Sequence, residues 1–280
     1  MVGSTMTGAK ALRATGSLRA LSNELSIVIP VYNEGPNILA TISTIEQKVR
    51  TPHRILIVYD FDEDNTLPAV RPLVSRGTVQ LVKNRYGRGA LAAIRTGFDA
   101  AATGLVLVMM ADSSDDPSAV DCMVDKIEQG YDLVCGSRYM RGGRQIGGPW
   151  FKKLLSRAAG VSLHYFVGLP THDVTNSFKL YRKELLDLVR FESTGGFEIG
   201  MEIVVKAYLH NYRIGEVPSV WTDRTTGESR FNMRKWLPKY FRWYGYALLG
   251  KWLGIRPSQA MLRQPTHVPH EQPAESRRAA

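Results

Sequence analysis

Four runs of apolar residues punctuate the first half of the chain: "LSIVIPVY" (25–32), "RILIVYD" (54–60), "VQLVKN" (79–84) and "GLVLVMMAD" (104–112). Each is continuous rather than alternating, the pattern of strands covered on both faces. Between them the spacing of apolar positions lengthens, predicting helices over 37–49, 68–75, 89–101 and 117–129. Strand and helix therefore alternate, and the chain reads as α/β, with a mostly parallel central sheet flanked by helices. A fifth run, "YDLVCGSRY" (131–139), extends the sheet.

The second half is less regular. An amphipathic helix is predicted over 149–169 with Lys152, Lys153 and Arg157 on its polar side, a further helix over 197–211, and one strand over 213–224 with a bulge or edge at Pro218. Residues 1–23 carry Lys10, Arg13 and Arg19 but no acid, a composition similar to a transit peptide or a solvated tail. Residues 256–280 combine prolines with no apolar period and read as a disordered tail.

Length and composition narrow the class. A chain of 280 residues fits one α/β domain with extensions, and 44% hydrophobic with 22% charged residues excludes wholesale disorder. The net charge of +10 favours anionic partners: nucleotides, nucleic acid or an acidic membrane surface. Two cysteines, Cys122 and Cys135, make neither a disulfide framework nor a metal-type pair, which points to a reducing, cytoplasmic setting. No stretch reaches the roughly 18 apolar residues that a span requires. The nearest, around 161–169 and 244–253, are interrupted by His164 and Lys251.

Candidate chemistry gathers where the fourth strand runs into "MMADSSDDP", a carboxylate cluster at the strand tip. With "VIPVYNEGPNI", "VYDFDEDNT", "GRGALAAIRTGFDAA", "VCGSRY", "DVTNSFKLYRKELL", "FEIGMEIVVKA" and "IGEVPSVWTDRTTGESRF", it forms an ordered series over about residues 25–235. This series resembles the family-2 glycosyltransferases, in particular the polyprenyl-phosphate group typified by dolichol-phosphate mannose synthase. The resemblance implies a GT-A fold and an inverting transfer of a hexose from a GDP- or UDP-sugar to a polyprenyl phosphate. It implies a catalytic domain over 24–232, followed by a membrane-interface region over 233–255.

The resemblance also assigns residues. Pro30, Tyr32, Glu34, Asp60 and Gly89 would hold the nucleotide, although Asn33 and Glu34 also read as a helix cap with a solvated acid, and "GRG" as an ordinary turn. The family's metal-binding Asp-x-Asp survives only in its second acid, since Met110 stands at the first position. Asp112 and Ser114, helped by water, Asp115 or Asp116, would then hold Mg2+ or Mn2+. Alternatively Asp115 and Asp116 only charge the start of the next helix, or Arg138, Lys179, Arg224 and Arg230 take over the metal's work of stabilising the departing diphosphate. Asp173, Asn176, Ser177 and Lys179 match the loop facing sugar and acceptor phosphate, where turn chemistry is the plainer explanation. Glu202 would position substrate, or with Glu198 offer a base to a hydroxyl acceptor.

Residues 235–252 complete the reading. At about 100° per residue, Lys235, Lys239 and Arg242 fall together opposite Leu237, Phe241, Tyr244 and Leu248, with Trp236, Tyr240 and Trp243 along one flank. That is a helix for a membrane interface, or one packed on the protein's own core; Pro238 suits a start near Leu237, whereas a helix begun at Asn232 would be kinked there. Many relatives continue into membrane-spanning helices and this chain does not, so peripheral contact at the inner face, aided by a membrane-protein partner, is expected. Two other readings compete: a glycosyltransferase acting on a glycan or other hydroxyl, and a non-catalytic nucleotide-sugar-binding protein, for which Met110 and Tyr59 speak. Nucleic acid is not expected as a partner, because the basic residues are dispersed among these motifs.

Overall fold

A computed structural model of the chain describes residues 24–223 and 233–254. The expected tails over 1–23 and 256–280 lie outside the described residues, as do Arg224 and Arg230. The first half alternates as its apolar runs require: β1 (Leu25–Pro30), α1 (Asn37–Lys48), β2 (His53–Tyr59), α2 (Thr66–Ser75), β3 (Val79–Lys83), α3 (Ala90–Ala100) and β4 (Leu105–Val108). A 3-10 turn (Pro117–Ala119) leads into α4 (Val120–Glu128), followed by β5 (Leu133–Ser137) and β6 (Arg144–Ile146). Then come α5 (Trp150–Val167), β7 (Lys179–Arg182), α6 (Lys183–Leu188), α7 (Ile199–Leu209), β8 (Ile214–Pro218), β9 (Val220–Thr222) and α8 (Met233–Trp252).

Seven strands form the central sheet in the order β3-β2-β1-β4-β7-β5-β8. Only β7 runs against its neighbours, pairing antiparallel with β4 and β5. Successive side chains leave a strand on opposite faces. Ile27 and Ile29 therefore pack with Ile38, Ile42 and Ile45 of α1. Val28 belongs to the other core, with Ile94 of α3, Leu163 of α5 and Trp243 of α8. The crossing of α3 over β1 is close enough that a Cβ at Gly97 would lie 2.2 Å from Val28 Cγ1.

The single strand expected over 213–224 is instead two. Pro218 has no N–H to continue a ladder, and Ser219 donates its own to Ser137 O at 3.0 Å. β9 then leaves the main sheet to pair in parallel with β6. Of the two starts open for the last helix the structure takes the earlier, since α8 begins at Met233 and carries Pro238 inside it.

Candidate active site

Parallel strands place their C-terminal loops along one edge, where ligands of open α/β sheets bind. Here the loop after β1 is laced to the loop after β2. Asn33 N donates to Asp64 Oδ2 at 3.0 Å, Glu34 N to Thr66 Oγ1 at 3.0 Å and Gly35 N to Asn65 Oδ1 at 2.8 Å. Asn33 sits at φ +53° within this lacing. Since α1 starts at Asn37 after Pro36, the alternative of a helix cap at Asn33 is set aside.

The three acids after β2 separate by partner. Asp64 is buried and ties loops together, and Asp62 pairs with Lys83. Asp60 faces the strand-end cleft, accepting from Asn84 Nδ2 at 2.7 Å and from Gly89 N at 2.8 Å. Gly89 has φ +104°, a backbone that L side chains rarely adopt, so the turn into α3 needs glycine there. Beside Pro30, exposed Tyr32 packs edge-on to Phe61 at 5.5 Å, and the Arg88 guanidinium lies 5.6 Å from the Phe61 ring centre. Phe61 and Arg88 were absent from the sequence assignments; a lone aromatic inside "YDFDED" was the available signal.

The loop after β4 holds the carboxylates. Asp112 accepts the Ser114 N–H at 3.1 Å around Ser113, whose φ is +56°. Thr41 on α1 braces this turn through Ala111 O and Ser113 Oγ, both at 2.7 Å. Asp116 caps the following turn through Ser118 N and pairs with Lys48 at 2.9 Å, the helix-start role. Asp115 does neither. It is 2% exposed, one oxygen accepts from Met110 N at 3.4 Å, and the other, Oδ1, has no partner among the described residues. Burial, then the charge of Asp112, pushes its carboxyl up to about 7. Among the described residues no group of three His, Cys, Asp or Glu side chains forms a ready metal cage.

Across the cleft, Arg138 donates through Nε and Nη2 to the two oxygens of Asp173, at 2.6 and 2.8 Å. Burial opposes both charges, but each offsets the cost for the other, so Asp173 is held below its usual range and Arg138 above. Arg138 Nη2 also reaches Ser156 Oγ and Thr175 Oγ1. Next to this pair opens a cavity of about 430 Å³ lined by Arg138, Arg144, Lys153 and Arg157, with Tyr139 and Ile146 and, among the described residues, without a carboxylate. Arg144 was not foreseen, while Lys153 and Arg157 were read only as the polar side of a helix.

The remaining assigned residues do not line this cavity. Asn176 is buried and donates to Gly136 O at 3.0 Å, Ser177 is half-buried, and Lys179 is fully buried, donating to Val174 O at 3.2 Å. Burial lowers the Lys179 pKa. Glu202 accepts from Glu192 N at 2.6 Å, Ser193 N at 2.9 Å and Lys206 Nζ at 2.6 Å. Glu198 likewise accepts from Gly195 N and Gly196 N, both at 2.6 Å. Both acids thus clamp the loop between α6 and α7, and neither oxygen pair is spare for a base.

The same loop seats α8. Trp243 is 1% exposed and donates to Ser193 Oγ at 3.2 Å, and Lys239 Nζ donates to Thr194 O at 2.9 Å. The flank of Trp236, Tyr240 and Trp243 expected at a head-group surface therefore faces the protein, and the outward side shows Phe241, Leu249 and Trp252. α5 is similarly turned. Trp150, Phe151, Leu154, Leu155, Tyr165 and Phe166 are all exposed and share one half of the helix, opposite buried Gly160, Leu163 and Val167. Ser162 Oγ and Tyr244 OH, 2.9 Å apart, join α5 to α8. Among the described residues no helix is long and apolar enough to cross a membrane.

The family described as Glycosyl transferase family 2 matches residues 26–189. The chain is 30% identical over 236 residues to a dolichol-phosphate mannosyltransferase of Pyrococcus furiosus, over 82% of this chain and 65% of that protein. It thus spans about two thirds of that relative's length. It is 28% identical over 227 residues to a polyprenol monophosphomannose synthase of Mycolicibacterium smegmatis, over 78% of this chain and 85% of that one. Among solved structures it resembles glucosyl-3-phosphoglycerate synthase of Mycobacterium tuberculosis in complex with Mn2+, UDP and glucosyl-3-phosphoglycerate. The TM-score is 0.60 at 18% identity, over 92% of this chain and 87% of that chain. The Mg2+ and UDP complex of that synthase matches at a TM-score of 0.58. The shared fold is GT-A.

Proposed function

The chain belongs to glycosyltransferase family 2, and from that premise we propose that it moves a hexose from GDP-mannose or a UDP-sugar to a polyprenyl phosphate at a membrane surface. The observation that carries this reading is the cationic cavity beside α5. Lys153 and Arg157 line it from the same helix that turns six large apolar side chains outward. One acceptor answers both features, an anionic phosphate on a hydrocarbon chain. The two relatives named as acting on polyprenyl phosphates support the same substrate class.

In this reading the nucleoside rests on Pro30, Tyr32 and Phe61, with Glu34 and Asp60 as hydrogen-bond acceptors and Gly89 allowing close backbone approach. The acceptor phosphate enters the cavity, and its oxygen attacks the anomeric carbon in line, with inversion. That oxygen is already anionic and needs no general base. The commitment of Glu198 and Glu202 to backbone N–H groups suits such an acceptor better than a sugar hydroxyl. A divalent cation, when bound, would neutralise charge on the departing diphosphate, with Asp112 as its carboxylate and Ser114 beside it. The unpartnered oxygen of Asp115 in the same loop suits a cation-binding loop. Arg138 borders the space where the two anionic groups meet, and Arg224 with Arg230 would add positive charge. Asp173 orients Arg138, while Asn176, Ser177 and Lys179 shape the loop behind it.

Contact with the membrane would be peripheral, at its cytoplasmic face, through α5 and the outer side of α8. A membrane-protein partner would share that surface. The test incubates the protein with labelled GDP- and UDP-sugars and a short polyprenyl phosphate, then counts label in the organic phase. Label from one donor is the expected result. Label found only in water-soluble glycan, or none from any donor, sinks the reading.

A further inference from the structure

Met110 leaves this site one carboxylate short of the pair that its family resemblance expects, yet the same loop contains a carboxylate without an occupation. Asp115 is buried, and its Oδ2 lies 3.4 Å from the backbone nitrogen of Met110, against the very residue where the acid is missing. Its Oδ1 has no hydrogen-bond partner among the described residues. The residue borders, with Ser113 and Ser114, a cavity of about 240 Å³ between α1 and β9, while Oδ1 itself is closed to solvent. Its sequence neighbour is spoken for, because Asp116 is paired with Lys48 and caps Ser118.

Resting on the glycosyl-transfer reading above, we propose that Asp115 supplies the second carboxylate ligand, so that Asp112 and Asp115 together seat the divalent cation of the donor diphosphate. Hard cations take oxygen ligands, and Mg2+ in particular is often held by one or two carboxylates, with phosphate and water completing its shell. Two acids therefore suffice without a three-residue cage, which the described residues do not form. The cation also gives a buried oxygen the partner that the protein itself does not provide. Asp112, three residues earlier on the same turn, contributes the other like charge that such an ion would bridge.

The test titrates Mn2+ by calorimetry into the full chain saturated with GDP and, separately, with UDP. Asp112→Asn and Asp115→Asn should each weaken Mn2+ binding about tenfold or more, and Asp116→Asn should leave it unchanged. Restoring an acid in the double variant Met110→Asp, Asp115→Asn should recover most of the affinity. Melting curves without metal report whether each variant is folded, and Asp115→Ser replaces Asp115→Asn if the latter is not. Wild-type affinity in a folded Asp115 variant, or no Mn2+ binding by the wild type with either nucleotide, overturns the assignment. Organic-phase label is scored on the same preparations. Transfer with Asp115-independent Mn2+ binding removes this assignment alone, whereas Asp115-dependent Mn2+ binding without lipid label retains it and removes the polyprenyl-phosphate reading.

Discussion

Asp173 grips Arg138 with both carboxylate oxygens and also accepts the Arg138 backbone N–H at 3.0 Å. A guanidinium fixed on three sides has one orientation, and its remaining contacts, to Ser156 and Thr175, turn it toward α5 and the cationic cavity. Replacing Asp173 by Asn leaves a nearly buried cation without its counter-charge, which should cost about 3–5 kcal/mol. The sign with pH follows from the depressed Asp173 pKa. The pair's contribution is complete above the unfolded value near 3.8 and is lost as pH falls through the lower folded value. Urea melts should therefore separate wild type and Asp173→Asn widely at pH 7 and converge in strong acid.

Lys153 and Arg157 contribute charge to the cavity from one helix. A hydrogen bond to a charged group contributes roughly 1.5–3 kcal/mol. Lys153→Gln and Arg157→Gln should each raise KM for the polyprenyl phosphate by about tenfold, while the donor KM stays put. Initial rates with donor and acceptor varied in turn check this. An effect confined to the donor would move these cations out of the acceptor site.

The outward face of α5 should decide membrane contact without deciding folding. Trp150 and Leu154 are 75% and 58% exposed, so Trp150→Glu with Leu154→Glu should shift the melting free energy by no more than about 0.5 kcal/mol per site. Flotation with anionic liposomes should nevertheless be lost. A variant that still floats would transfer the contact to α8 alone.

Glu202 provides a test between structure and acid-base chemistry. Its carboxylate holds Lys206, which is 1% exposed and, if Glu202 is neutralised, keeps the Arg190 carbonyl but as counter-charge only the more distant Glu192 at 3.7 Å. Glu202→Gln should cost about 3 kcal/mol and lower the melting temperature by roughly 6–12 °C. Lost turnover with an unchanged melting temperature would mark Glu202 as a base instead, and with it a hydroxyl acceptor.

The sequence made the sheet readable where strands are covered on both faces. β1, β2 and β4 are unbroken apolar runs, and the glycine before α3 marks its turn. β6, β7 and α6 went unseen because elements of 3, 4 and 6 residues complete too little of a period to register. Asp112 and Arg138 were legible from motif order, whereas Arg144 enters the cavity only because β6 pairs with β9. A helical wheel groups Trp236, Tyr240 and Trp243 on one flank but cannot say which flank meets the protein. The loop clamped by Glu198 and Glu202 decided that. Adjacent acids are equally indistinct in sequence, and only the distance to Lys48 separates Asp116 from Asp115.

α5 places cations on its cavity side and rings on its outer side, separated by about one helix diameter, some 10–12 Å. On the polyprenyl-phosphate reading, a lipid met across that distance would never have to be extracted. Lifting a hydrocarbon chain into water costs about 0.8 kcal/mol per methylene, prohibitive for a long isoprenoid. With the chain left in the leaflet and only the head drawn past the helix, the search for acceptor would become diffusion in two dimensions. Chain length would then drop out of the recognition problem, and the sugar donor alone would have to be found from bulk solution.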